Sequence, residues 1–413
     1  MAEAYTTPDT GRQQSLLPDL TKIRGAALPI AAIGLIGLVL GLLLDRSEGH
    51  RAFWASYYFG YMVAMALTLG CTTLLFLHHC VRGSWGLAIL RILEAGTKML
   101  PIMFVGMIPI LYGVWTGQIY PWANEAERNA NEVFRHKALY LNPLWFTIRQ
   151  VVYFVFWIWA TGELRKSSLK QDQTRDETLA QQRGSFAAPF GVVHVVLVTF
   201  AYTDWLMSLT EWFSTLYGVW NITKNVLLTL AFSTYIVLKF RDRKPYSEIV
   251  TPALARDLGN MILGFTMFWG YTSLSQFLII WSANLPEEVT FYGARADGAL
   301  VYVGAFLIFG HFFGPFLALI TGRTKRTPDI LQKVCGWLIV VRIIDTWWDI
   351  VPFFGRRLTG PDLPGLALDL AALAGFGGVW VAVTMANLKK ESLYPAHDPR
   401  LIEAKELAAH GAH

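Results

Sequence analysis

Long apolar stretches alternate with short polar segments along the chain. About ten of them approach the roughly 20 residues that a helix needs to cross a bilayer. They cover residues 26–44, 56–79, 100–116, 143–161, 187–209, 216–238, 258–283, 300–321, 334–350 and 363–387. Because an open strand in lipid leaves backbone N–H and C=O groups unsatisfied, each stretch is predicted to be helical. The predicted fold class is all-α, a polytopic membrane protein.

Lysine and arginine are unevenly shared between the two predicted sides of the membrane. The segment before the first helix, the connections after even-numbered helices and the tail carry roughly three times as many as the other connections. The positive-inside rule therefore places both chain ends in the cytoplasm. We expect a cytoplasmic segment at 1–24, a transmembrane domain at 25–388 and a cytoplasmic tail at 389–413, with a helical stretch at 398–409. The polar start lacks a cleavage site, so no cleaved signal peptide is expected.

Composition supports a bilayer as the solvent. Hydrophobic residues make up 54% of the chain and charged residues 16%, and the mean hydropathy is +0.39. The net charge of +5 is explained by insertion topology, so lipids and not nucleic acid are the expected partners. Cys71, Cys80 and Cys335 form no metal-binding or haem-attachment pattern. No metal site and no covalently bound cofactor is expected.

A charge inside hydrocarbon costs about 2.5–3.5 kcal/mol even on the mildest scale, so ionisable residues within the helices are functional candidates. One hypothesis is a polar pathway that carries protons. Its candidate residues are His194, Asp204, Lys224, His311, Arg342, Asp345 and Asp349. The predicted orientation places most of them in the outer half, and the spacing of three and four residues puts the last three on one helix face.

The alternative is static pairing, in which Asp204 pairs with Lys224 and Arg342 with Asp345 to fix the helix register. His194 and His311 would then be satisfied core histidines. Their depths differ in the prediction, so they are not expected to share a b-type haem.

Three further interpretations concern the helix ends. Asp204, Trp205 and Trp212 are candidate contacts for a quinone ring, although an interfacial aromatic belt explains such tryptophans equally well. His78 and His79 are interpreted as interface anchors. The charged, Gln-rich segment 165–183 is interpreted as a solvated linker.

Several motifs resemble one family. The segment 204–218 reads DWLMSLTEWFSTLYG and the segment 275–288 reads SQFLIIWSANLPEE. Both are similar to the ActF subunit of bacterial alternative complex III, an NrfD- and PsrC-like membrane subunit also described as quinone-binding subunit 2. The segments 314–326 and 345–352 add to the resemblance. It spans most of the membrane region.

The resemblance implies a subunit of a quinol:electron acceptor oxidoreductase in a respiratory or photosynthetic chain of the bacterial inner membrane, with cytochrome c or a similar protein as acceptor. It implies two four-helix bundles, helices two to five and six to nine, flanked by helices one and ten. The implied partners are an ActC-type subunit, an iron–sulfur and molybdopterin-like subunit and c-type cytochromes, which hold the haem and iron–sulfur centres. Menaquinone or another quinone is the implied ligand.

Three functions remain open at this point. In the first, the subunit is structural and conducts protons. In the second, it binds and oxidises quinol directly. In the third, it is a stand-alone secondary transporter with a binding site at a broken helix, for which Pro315 marks the one obvious break.

Overall fold

A computed structural model of the chain describes residues 16–81, 83–356, 362–390, 392–395 and 398. Helices make up 83% of the structure, and the described residues form no strand. The all-α fold class predicted from the hydrophobic pattern is confirmed. The predicted helical stretch at 398–409 lies outside the described residues, apart from its first position.

Ten long helices, α1 to α10, lie within the described residues at the places that the apolar stretches predict. They are α1 Leu17–Leu44, α2 Arg51–Val81, α3 Leu90–Trp115, α4 Pro143–Thr174, α5 Thr178–Trp205, α6 Tyr217–Lys239, α7 Pro252–Ala283, α8 Leu300–Ile320, α9 Pro328–Ile350 and α10 Leu363–Leu388. A break after Thr97 divides α3, and a π-helical turn, Ile308–Phe313, interrupts α8 just before Pro315.

Short helices occupy several of the connections. Four of them are α-helical: Glu125–Ala130, Glu132–His136, Pro286–Gly293 and Gly322–Arg326. The 3-10 turns are Glu48–His50, Ser84–Gly86, Pro121–Ala123, Met207–Leu209, Tyr246–Glu248 and Val351–Phe354.

Eight helices in the described part of the chain are long and apolar enough to cross a membrane. The helices α7 and α9 have the length, at 32 and 23 residues, but neither contains a bilayer-spanning stretch that is both as apolar and as poor in charge as this requires. The molecule is thus a polytopic helical protein of membrane type. The helices α7 and α9 are of interest because polar side chains inside a bilayer need partners.

The helices α2 and α6 form the centre of the molecule. Their most apolar windows are 89% and 83% buried. The helix α2 packs on α3, α5, α6 and α10, whereas α6 packs on α5, α7 and α9. At the periphery, α1 pairs with α10 so closely that a Cβ on Gly34 would lie 2.2 Å from the Gly375 nitrogen.

The connections after odd-numbered helices meet at one end, the end predicted to face outward. Tyr120 donates a hydrogen bond of 3.0 Å to the carbonyl of Trp205, and the Trp122 indole donates one of 3.2 Å to Ser208. These bonds join the segment after α3 to the end of α5. We refer to this end as the predicted outer end and to the opposite one as the predicted inner end.

The interpretation of residues 165–183 as a solvated linker is wrong. The helix α4 continues to Thr174, and α5 begins at Thr178. Ser168, Gln171 and Arg183 are buried. Ser168 and Gln171 are three residues apart and share one face of α4, and Arg183 of α5 donates a hydrogen bond of 2.5 Å to Gln171 between the two helices.

A buried ion cluster explains why this face is polar. Arg91, in α3, contacts Glu94 at 2.5 Å, donates a hydrogen bond of 3.1 Å to Ser168 and also contacts Asp172. Arg91 and Glu94 are only 2% and 0% exposed. The sequence interpretation missed this cluster because it counted Arg91 as a topology signal.

The prediction that His78 and His79 anchor the chain at the interface is also wrong. Both side chains are buried, at 0% and 1% exposure. The turn Ser84–Gly86 folds over them, so that the rings of His78 and Trp85 lie 5.8 Å apart.

Candidate functional site

Five of the seven proton-path candidates meet in one buried cluster between α6, α8 and α9. With Arg295, we call this set the central ion cluster. Each member is at most 2% exposed. Its members are Lys224, Arg295, His311, Arg342, Asp345 and Asp349.

Lys224 connects α6 to the two carboxylates of α9. Its Nζ lies 3.1 Å from Asp349 Oδ2 and 3.9 Å from Asp345 Oδ1. It also lies 3.5 Å from the ring centroid of Trp220, a cation–π contact that helps to hold a desolvated ammonium group. Tyr217 donates a hydrogen bond of 3.2 Å to Asp349 Oδ2. The helix α6 therefore supplies two partners of Asp349, Lys224 and Tyr217.

The three charged residues of α9 share one face, as their spacing predicts. Arg342 donates a hydrogen bond from Nη1 to Asp345 Oδ2, so the predicted pair of these two residues is confirmed. A second Arg342 donor lies 3.4 Å from the Thr346 hydroxyl. Each carboxylate of this helix thus has a basic partner, which reduces the cost of burying it.

His311 lies in the π-helical turn of α8, beside Asp345. Its Nδ1 is 3.6 Å from Asp345 Oδ2, and its ring packs 3.8 Å from the Trp269 ring between centroids. Neither ring nitrogen makes a hydrogen bond to the described residues. Single π turns in α-helices are frequent at functional positions. The irregular turn that contains His311 ends two residues before Pro315, at which the sequence predicts a break.

Arg295 is a member that sequence reasoning missed. It follows the short helix Pro286–Gly293, where the positive-inside count treated it as a loop charge. Its three donor groups bind the carbonyl oxygens of Phe291 at 2.6 Å, Trp348 at 3.2 Å and Asp349 at 2.5 Å. Cations are stabilised at the carbonyl ends of helices. Burial nevertheless lowers the pKa of Arg295 to about 10.

Asp204 belongs to a separate ion pair. Its two carboxylate oxygens accept hydrogen bonds of 2.8 and 2.9 Å from Arg149 of α4, and Tyr153 donates another of 2.9 Å. The predicted pairing of Asp204 with Lys224 is wrong, because Asp204 points from α5 toward α4 while Lys224 points toward α9. Arg149 was not among the partners that the sequence predicts for Asp204.

His194 lies apart from both groups of charges. Its Nε2 shares a hydrogen bond of 2.9 Å with the Thr73 hydroxyl of α2. Its ring stacks on Phe76, with 5.3 Å between centroids, and Trp157 lies nearby. Its Nδ1 makes no hydrogen bond to the described residues. His194 is thus a core histidine, as the alternative interpretation has it, but only one of its two ring nitrogens is satisfied.

A small polar cavity lies between the central ion cluster and α5. Its volume is about 10 Å³, and Tyr202, Asn225, Lys224, Arg342 and Asp349 are among the residues that line it. Tyr202 donates a hydrogen bond of 2.8 Å to Asn225 Oδ1. One water molecule needs about 10–15 Å³ and two to four polar partners. The cavity therefore has the size and lining for a single water.

The candidate quinone contacts are packed side chains. Asp204 and Trp205 are 0% exposed and Trp212 is 2% exposed. The Trp205 indole donates a hydrogen bond of 2.6 Å to Gln150, and Trp212 stacks on Phe291 with 4.4 Å between ring centroids. A quinone ring would reach them only if they moved. An interfacial belt is also not their role, since both tryptophans are internal.

The fold and the cluster define the class: a polytopic helical membrane protein with charges buried between α6, α8 and α9. Comparison with protein-family models and with curated proteins finds no match for this chain.

Proposed function

We propose that the chain is a structural and proton-conducting membrane subunit of a quinol:electron acceptor oxidoreductase, of the ActF type. The observation that carries the proposal is the central ion cluster, where His311, Asp345, Lys224 and Asp349 form a continuous series of contacts of 3.1 to 3.9 Å. Buried ionisable groups in contact mark proton relays in membrane proteins.

The contacts between helices support an arrangement in two four-helix bundles. In the first, α2 packs on α3 and α5, and α4 packs on α3 and α5. In the second, α6 packs on α7 and α9, and α8 packs on the same two helices. The helices α2 and α6 join the bundles, and α1 and α10 flank them.

Orientation and partners complete the proposal. Both chain ends lie in the cytoplasm, and the membrane is the bacterial inner membrane. An ActC-type subunit, an iron–sulfur subunit and c-type cytochromes carry the electrons and oxidise the quinol. Quinol oxidation elsewhere drives protons through this chain only if it changes the central ion cluster through a partner interface.

The test is made on the complex isolated through an affinity tag on this chain and reconstituted in liposomes. Proton translocation and quinol-dependent electron transfer are measured together for Asp349→Asn and Asp204→Asn. We expect Asp349→Asn to lower the number of protons moved per electron while electron transfer continues. Asp204→Asn serves as a comparison, because its carboxylate is in contact with Arg149 and not with the cluster. An unchanged number of protons per electron in Asp349→Asn would exclude the proton-conducting role of the cluster.

The same purification separates the other two functions. A stand-alone transporter is isolated without haem-containing partners, whereas a subunit brings them along. Direct quinol oxidation by this chain requires quinone bound beside Asp204 and a redox centre nearby. The close packing of Trp205 and Trp212 makes it the weaker proposal.

A further inference from the structure

A cleft opens at the predicted outer end, beside the central ion cluster. Its volume is about 370 Å³. The short helix Pro286–Gly293 and the segment after it form one wall, and Thr210, Pro352 and Phe353 form the other. This volume is far above the ~10–15 Å³ that one water requires. Thr290 and Gly293 at the cleft are exposed, so the cleft is open to the surroundings.

Arg295 is the side chain that connects this cleft to the cluster. It lines the cleft. Its Nη2 also donates to the Asp349 carbonyl at 2.5 Å and lies 3.9 Å from Asp349 Oδ1. That carboxylate oxygen is buried and makes no hydrogen bond to the described residues. The guanidinium group of Arg295 therefore lies between the open cleft and Asp349 Oδ1, a buried oxygen that can still accept a hydrogen bond.

Aromatic rings hold this layer in place. The guanidinium carbon of Arg295 lies 3.5 Å from the ring centroid of Phe291 and 4.7 Å from that of Phe353. Together with the three carbonyl bonds, these contacts fix a positive charge between the cleft and Asp349. A fixed arginine in a polar passage is an electrostatic barrier to protons and other cations.

We propose that this cleft is the aqueous mouth of the proton route at the predicted outer end, and that Arg295 is the positioning residue that separates its water from Asp349. The inference rests on the proposed function. Protons leave Asp349 Oδ1 past the edge of the guanidinium group into the water of the cleft. The fixed positive charge acts on protons that move in either direction, so it slows their exchange with the cleft and gives the route no direction of its own. A quinone or an anion is not required in the cleft.

Gly293 is a suitable position for a cysteine that tests whether water reaches the cleft. It lines the cleft, and a Cβ added there would meet no atom within 4 Å. The native Cys71 and Cys335 are buried, whereas Cys80 is exposed, so the background is Cys80→Ser. Ala296→Cys is the matched control, because Ala296 is exposed and follows Arg295 directly without being among the residues that line the cleft.

The first measurement is labelling of intact cells with a membrane-impermeant thiol reagent. We expect Gly293→Cys and Ala296→Cys both to be labelled from outside. Failure of Gly293→Cys to react from outside, while Ala296→Cys reacts, would overturn the proposal, since the cleft would then not open to outer water. This result does not depend on proton transport.

The second measurement is the number of protons moved per electron by the labelled complex in liposomes. A bulky label at Gly293→Cys is expected to lower it to the level of Asp349→Asn, while the label at Ala296→Cys leaves it unchanged. If Asp349→Asn lowers it but the Gly293→Cys label does not, this inference alone fails. If Asp349→Asn has no effect either, the proposed function fails as well.

Discussion

Replacing Arg149 with Met removes the guanidinium group that binds both carboxylate oxygens of Asp204. The carboxylate is fully buried, at 0% exposure, so the loss leaves a buried charge without its basic partner. The penalty is limited by the cost of protonating an ordinary aspartate. With a reference pKa of about 3.9 and about 1.36 kcal/mol per pH unit, this cost is about 4 kcal/mol at pH 7 and about 1.5 kcal/mol at pH 5.

The assay is thermal unfolding of the detergent-purified protein at both pH values. The unfolded chain binds fewer protons than the variant's folded state, so the stability loss grows as the pH rises. Adding Asp204→Asn to the variant should restore most of the stability at pH 7. Lys166→Met is the control in the same helix, since its pair with Glu163 is 74% and 43% exposed and is worth below about 1 kcal/mol. An Arg149→Met variant as stable as this control, or with no difference between pH 7 and pH 5, would refute the reasoning.

Two further predictions concern the helix ends and the helix contacts. Burial raises the pKa of Asp45. Hydrogen bonds from Ser47 and Phe53 together lower it by more than burial raises it, so the pKa lies below its usual value. The ionised Asp45 therefore stabilises the fold above the unfolded pKa of about 3.9, and this stabilisation is lost as the pH falls below that value. Asp45→Asn should lower the unfolding temperature clearly at pH 7 and less at pH 3. Equal losses at the two pH values would contradict this prediction. Gly34→Ala should destabilise the α1–α10 contact by about 1–3 kcal/mol. Gly25→Ala is the control, because no atom lies within 4 Å of the added Cβ. Unfolding temperatures that are equal in the two variants would contradict the prediction.

The candidate site was predictable in part. Residues that are three and four apart in one helix share a face whatever surrounds the helix, so the grouping of Arg342, Asp345 and Asp349 follows from local geometry. Local geometry does not determine which neighbouring helix that face contacts. The rotation of α5 directs Asp204 to Arg149 and not to Lys224, and that rotation depends on packing across the whole helix.

Charged residues in or next to the connections were also assigned wrongly from the sequence. A loop charge counts toward topology in a sequence, but its burial depends on how the loop folds back. Arg295 returns into the bundle because the carbonyl ends of two helices and the ring of Phe291 offer it partners. Arg91 is buried because α4 extends past it and supplies Ser168 and Asp172 as partners.

The sequence by itself determined the helical class and the places of the ten helices, since a bilayer demands long apolar segments with internally bonded backbones. It also determined that charges lie among them. The tertiary structure alone decided which charges meet, because partners such as Lys224 and Asp349 are far apart in the chain and come together through the packing of α6 on α9. It also decided that a cleft reaches Arg295, since three connections distant in sequence form its walls.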